Sequence, residues 1–122
     1  MKYEDALPLL GTAITDPHPT LTIADIDLEL RTNPAATLWH TDESVMFLRV
    51  EGYENGERVL SVGPAAGKLK EILQHGVSDV ETLARDNDCG QVFIHAGRPE
   101  WAAALKKYGY EQVAVVLRKV LD

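Results

Sequence analysis

Asn55-Gly56 separates two β-rich runs, S-V-M-F-L-R-V-E-G-Y before it and R-V-L-S-V-G after it. A two-residue type I′ turn needs positive φ at both central positions, and Asn-Gly is the dipeptide that tolerates this best. The pattern therefore predicts a hairpin in which Ser44–Tyr53 pairs antiparallel with Glu57–Val62. A hairpin alone is marginal in water, so the rest of the chain has to supply further strands and a helical cover.

The flanking segments read accordingly. A-T-L-W-H from Ala36 is a short strand, and Q-V-F-I-H-A-G after Gly90 is a strand bounded by glycines. Tyr3 to Leu10 reads as a short helix, followed by the loop D-P-H-P, in which two prolines flank His18 and exclude regular structure. The run T-I-A-D-I-D-L-E-L-R-T-N-P has Thr22 as a plausible N-cap and stops before Pro34. Ile23, Ile26 and Leu30 fit helical spacing, while Ile26, Leu28 and Leu30 also alternate, so helix is the first reading and strand the second.

From Lys68 to Asp86 two apolar stripes suggest a helix bent or broken at Gly76. Ser78 and Glu81 are placed as a capping box for its second half, and Gly90 as the C′ glycine. R-P-E-W-A-A-A-L-K-K-Y-G is a helix with Pro99 in its first turn and Gly109 past its end. Tyr110 to Leu121 reads as a final long strand. The order predicts an α/β class with a central, mostly antiparallel mixed sheet, a β-α-β C-terminal half and helices on its faces.

With 122 residues the chain suits one domain, with residues 36–121 as its core and residues 1–35 as an N-terminal helical segment or arm. A net charge of −7 argues against a nucleic-acid or membrane-surface binder, because phosphate attraction needs clustered Lys and Arg. No run is apolar for long enough to span a membrane, and M-K-Y-E-D-A does not read as a secretory signal. The four histidines show no metal-ligand spacing. The single Cys89 has no C-x-x-C partner, and its place at a helix C-terminus disfavours a thiolate. No Walker loop, G-x-S-x-G or G-x-G-x-x-G occurs.

The progression Ala84-Arg85, Cys89-Gly90, Gly97-Arg98, Trp101, Gly109-Tyr110, Leu117 and Lys119 resembles the last third of the GNAT superfamily of N-acetyltransferases. More narrowly it is similar to short GNAT-like proteins of tailed phages and prophages. The likeness runs from about Ala36 to Leu121. It implies a GNAT-like fold and, if the site is intact, acetyl-CoA as cofactor.

In that family the pyrophosphate sits on backbone N–H groups at a helix start, behind a loop resembling Q/R-x-x-G-x-G/A-x-x-L. One frame sets Pro64 at the glycine and Ser61 at the Q/R. The other keeps Gly63 and Ala65 but sets Leu60 at the Q/R. Gly63, Ala65, Ala66, Gly67 and Lys68 are therefore the candidate cofactor-binding residues, with the Lys68 ammonium substituting for the missing cation. The family's acid tyrosine falls on Leu105 and its asparagine on Arg98. Trp101, Leu105 and Tyr108 accordingly read as packing. Candidate catalytic groups are Glu51, His95 and Tyr108, with Glu57 and His40 as further possible bases.

Three readings follow, the first two from the resemblance and the third from the acidic charge. The first is a catalytically degenerate GNAT-fold component of a phage particle, in contact with other phage structural proteins or with itself, found in the host cytoplasm or the particle. The second is an acyl-CoA-dependent N-acetyltransferase with a divergent pyrophosphate loop. The third is an acidic module that binds a basic host protein. No metal, membrane or nucleic-acid partner is expected.

Overall fold

The computed structural model describes residues 1–122. Two helices open the chain, α1 (Tyr3–Gly11) and α2 (Ile23–Thr32), followed by strands β1 (Ala36–His40), β2 (Val45–Gly52) and β3 (Arg58–Ala66). A continuous helical stretch comes next: α3 (Leu69–Glu71), a π turn over Ile72–Gly76, and α4 (Val77–Asp86). Strand β4 (Gln91–Ile94) and helix α5 (Pro99–Lys106) complete the regular elements.

The sheet runs β1-β2-β3-β4, antiparallel except for the parallel β3–β4 pair. It is the mixed sheet expected from the sequence, with helices on both faces. On one face Ala6 and Leu10 of α1 and Ile26 of α2 bury against Val45, Phe47 and Ala66. On the other, Ile72, Val80 and Ala84 bury against Met46, Leu48, Leu60 and Val62. Fully burying such a side chain contributes about 1.5–3 kcal/mol, so these two layers dominate the stability of the fold.

Helix α2 resolves the ambiguity between Ile26 and Leu28. Ile26 is fully buried while Leu28 is 60% exposed, which only the helical spacing produces. Its start is a full capping box. The Asp25 amide donates to Thr22 Oγ1 at 3.2 Å and the Thr22 amide to Asp25 Oδ2 at 2.9 Å.

Several local expectations are corrected. The hairpin forms with the expected pairing, but its turn is not type I′. Among its loop residues only Gly56 has positive φ, at +88°, and the Gly56 amide donates to the Tyr53 carbonyl at 3.0 Å. With the Tyr53 amide donating to Glu57 at 2.8 Å, this is a type I turn closed by a left-handed glycine and a bulge. β3 continues through Gly63-Pro64-Ala65-Ala66, beyond Val62, where the expected hairpin strand ends.

The helix does not break at Gly76, and Ser78 caps nothing. A Cβ on Gly76 would lie 2.8 Å from Met46 Cε and 3.4 Å from Trp39, so glycine is there to let the helix approach the sheet. The left-handed C′ position of α4 belongs to Asp88 (φ 58°), not Gly90. Cys89 donates to Ala84 at 2.9 Å and Asp88 to Arg85 at 3.1 Å, the bond pair of a Schellman ending.

The largest correction concerns Tyr110–Leu121. No strand forms there, and no backbone hydrogen bond reaches residues 111–122. A strand gains its stability from a ladder partner, not from β-branched composition, and nothing pairs with this segment.

Candidate functional site

The pairing of β3 with β4 ends at Val62 and Ile94, with one further bond from the His95 amide to the Val62 carbonyl at 3.2 Å. Beyond that point β3 runs on to Ala66 beside β2 while the chain after β4 turns away into α5. The two strands splay, and a cleft of about 850 Å³ opens between them. Its size lies within the range of small-molecule sites.

Polar groups converge on the cleft from one face of the sheet. Arg49 and Ser61 are direct cross-strand partners, and the Ser61 hydroxyl lies 3.3 Å from His95 Nε2. Ser61 is buried and His95 is exposed on its solvent side, so the hydroxyl holds the ring while one edge stays accessible. Arg49 is itself held by Glu29 Oε1 at 3.3 Å and Glu51 Oε1 at 3.1 Å. Arg98 and Glu100 stand on the α5 side, and Trp101 and Leu105 supply apolar wall. The cations lining the cleft are Arg49 and Arg98, against one acid, Glu100. Arg49 is already paired with Glu29 and Glu51, which leaves Arg98 as the lining cation without a carboxylate partner.

The end of β3 and the start of α3 form the second part. Gly67 has φ +115°, and a Cβ there would meet the Glu43 carbonyl at 2.3 Å and Ser44 Cα at 2.5 Å, so only glycine fits. The fully buried Ser44 hydroxyl accepts the Lys68 amide at 3.0 Å. The first intrahelical bond then runs from Ile72 N–H to the Lys68 carbonyl at 3.0 Å. The amides of Leu69, Lys70 and Glu71 precede it and have no acceptor within the helix, the situation in which a helix start attracts anions.

Glu71 is held by hydroxyls: Thr41 Oγ1 donates to it at 2.5 Å, and hydrogen bonding from Ser44 and Thr41 lowers its carboxyl below the usual range. Lys68 pairs with Glu43, which raises its ammonium.

The residues named from the sequence fall into two groups. His95, Gly63, Ala65, Ala66 and Gly67 line the cleft. Lys68 sits at its rim with its amide given to Ser44 and its ammonium to Glu43. Glu51 lies outside the lining, tied to Arg49 and to the Tyr53 hydroxyl at 3.4 Å. Tyr108 is exposed and also outside the lining, so it is neither near the cleft nor packed like Leu105 and Trp101. Glu57 lies in the hairpin loop and His40 at the far end of β1. Ser61, Arg49 and Ser44 were not singled out as site residues. The alternation of β2 and β3 sets Arg49 opposite Ser61, but the splay that makes them a floor has no signature in the sequence.

No protein-family model matches the chain, and no curated protein matches it in sequence. Solved structures do match in fold. A Trypanosoma brucei acetyltransferase superposes with a TM-score of 0.66 at 16% identity, over 99% of this chain and 96% of that one. A predicted acetyltransferase with acetyl-CoA from Clostridium acetobutylicum gives 0.70 at 10% identity, over 96% and 88%. A transcriptional regulator from Bacillus halodurans gives 0.72 at 11% identity, over 99% and 96%. The chain therefore has the GNAT fold.

Proposed function

We propose that the protein is an acyl-CoA-dependent N-acyltransferase. The observation that carries the reading is the junction of two features in one cleft: unpaired helix-start amides behind Gly67, and the Ser61–His95 pair at the floor. The similar acetyltransferase structures support it. They lend nothing to a role inside a phage particle, the other reading from the sequence, and no residue of the cleft requires that role.

The residues present fit an anionic cofactor. The unpaired helix-start amides, of which that of Leu69 belongs to a residue lining the cleft, would face a pyrophosphate, with Arg98 adding positive charge, while the Lys68 ammonium is already paired with Glu43. Pro64 lies within β3, two residues after Val62, whose carbonyl faces β4. The β2–β3 register shifts at this point, between the Met46–Ala65 and Leu48–Val62 pairs, and such a bulge is a position where a strand tolerates the missing N–H of proline. Acetyl-CoA, when bound, supplies an activated thioester.

His95 is the base in this reading. An ammonium acceptor has to lose a proton before it can attack, and His95 Nε2 or Nδ1 is the imidazole nitrogen available to take it, oriented through Ser61. Leu105, at the family's tyrosine position, donates no proton. A thiol of ordinary pKa near ~8.5 leaves as thiolate without an obligatory acid, and the open cleft admits water to protonate it.

The test is calorimetric titration of acetyl-CoA at low salt, followed by thiol release with amine acceptors. Micromolar binding is expected. His95→Ala should keep that binding and lower kcat by about 10²–10⁴-fold, the usual contribution of a general base. No heat at millimolar acetyl-CoA would reject the reading.

A further inference from the structure

Ser61 lines the cleft with an imidazole as its neighbour, and a hydroxyl so placed is chemically more than a support for the ring. In the parallel ladder Ser61 is the partner of Phe93, so His95, two residues on, belongs to the same face of the sheet. Both backbones are fixed. Ser61 pairs with Arg49 on one side and with Phe93 on the other, and the His95 amide donates to the Val62 carbonyl at 3.2 Å. The resulting 3.3 Å between Ser61 Oγ and His95 Nε2 is the slightly loose spacing that nucleophile–base pairs show before a substrate tightens them.

The arrangement is particular to this hydroxyl. The other hydroxyls in the lining are those of Thr12 and Thr20. Thr12 gives its proton to the Leu9 carbonyl at 2.6 Å, and no hydrogen bond joins Thr20 to an imidazole. Cys89, the one thiol, is not part of the lining. A second observation comes from α5. Leu105 lines the cleft, is 5% exposed and has no proton to give. A base that only takes a proton from the amine leaves the departing thiolate without a donor.

We infer that acyl transfer in this protein passes through an ester on Ser61, an inference that rests on the acyltransferase reading. With the ring proton on Nδ1, Nε2 accepts the Ser61 O–H. Oγ bonds to the thioester carbonyl carbon as its proton moves to Nε2. The carbon–sulfur bond breaks, and the imidazolium passes that proton to the departing thiolate. Acyl-CoA and Ser61 thereby become O-acyl-Ser61 and the free CoA thiol, and His95 is neutral again. A deprotonated amine then attacks the ester carbonyl. Its proton travels through Nε2 to Oγ as the carbon–oxygen bond breaks, which releases the amide and restores Ser61. Water in the amine's place releases the carboxylate, so the same pair also hydrolyses acyl-CoA. One imidazole is base and then acid in each half, and no second acid is required at Leu105.

The test mixes the full chain with acetyl-CoA in the absence of amine, quenches in acid, and reads intact mass and thiol release. A burst of about one thiol per chain is expected, with one acetyl group on the protein. Peptide mapping should place it on Ser61, and hydroxylamine should remove it, as it removes an ester and not an amide. Ser61→Ala deletes only a hydroxyl. It should keep calorimetric binding of acetyl-CoA and the unfolding transition, and lose both label and burst. Ser61→Cys should regain the label as a thioester. With an amine present, double-reciprocal plots for the wild type should be parallel, as for a two-step exchange. An unmodified Ser61, acetyl groups on lysine alone, or a burst that survives in S61A would each overturn the ester. The acyltransferase reading would then still stand if the wild type binds acetyl-CoA and acylates an amine. A wild type that binds no acetyl-CoA would reject both.

Discussion

Gly67 is the residue on which the passage from β3 into α3 turns. Its φ of +115° and the 2.3 Å that would separate an added Cβ from the Glu43 carbonyl leave no room for a side chain. Gly67→Ala should therefore cost about 1–3 kcal/mol from backbone strain alone, read as a lowered urea midpoint. Gly52→Ala, with nothing within 4 Å of the new methyl, is the control and should stay within about 0.5 kcal/mol. Gly67 and His95 could be named from the sequence because glycine before a helix and histidine beside a strand are informative residue types. Ser44 and Ser61 could not. A serine acquires meaning only when burial and a partner are known, and those partners lie 24 and 34 residues away.

At the scale of elements, the two candidate capping boxes separate what local sequence can decide. Thr22 holds Asp25 and is held by it; Ser78 lies inside a helix that never stopped. Thr22→Ala should cost about 1 kcal/mol in chemical unfolding, the usual loss of an N-cap, whereas Ser78→Ala should change stability by less than about 0.5 kcal/mol. Both motifs match the same spacing. Tertiary packing made the difference, because the approach of Gly76 to Met46 and Trp39 keeps the chain helical through a π turn. Strand existence was legible in the same way and with the same limit. Ala36–His40, Val45–Gly52 and Gln91–Ile94 were readable, but the equally β-like 110–121 is not a strand, because no neighbouring strand pairs with it.

For the whole molecule, pH dependence follows from carboxylates held ionised by hydrogen bonds. Asp25 is lowered by the Thr22 amide and hydroxyl, Asp27 by the Tyr3 hydroxyl and then Arg31, and Glu71 by Ser44 and Thr41. Asp16 is lowered by the His18 amide and then by Arg118. A carboxylate depressed in the folded state contributes stability above its ordinary pKa, 3.8 for Asp and 4.5 for Glu, and loses it as pH falls through the folded value. The melting temperature should thus hold steady from pH 7 down to about 5 and decline below about 4. A decline already complete at pH 6 would contradict this assignment.

The sequence by itself determined the class of fold, the hairpin pairing, the first helix and the span of α5. Those properties rest on periodicity, caps and turns, which act over a few residues and are written in the chain. Only the tertiary structure decided that β3 and β4 splay, that Arg49, Ser61 and His95 share the floor of the resulting cleft, that Glu51 and Tyr108 lie outside it, and that residues 111–122 find no strand to pair with. These depend on which distant segments become neighbours. That is set by the joint packing of two helical layers on one sheet, and no local pattern encodes it.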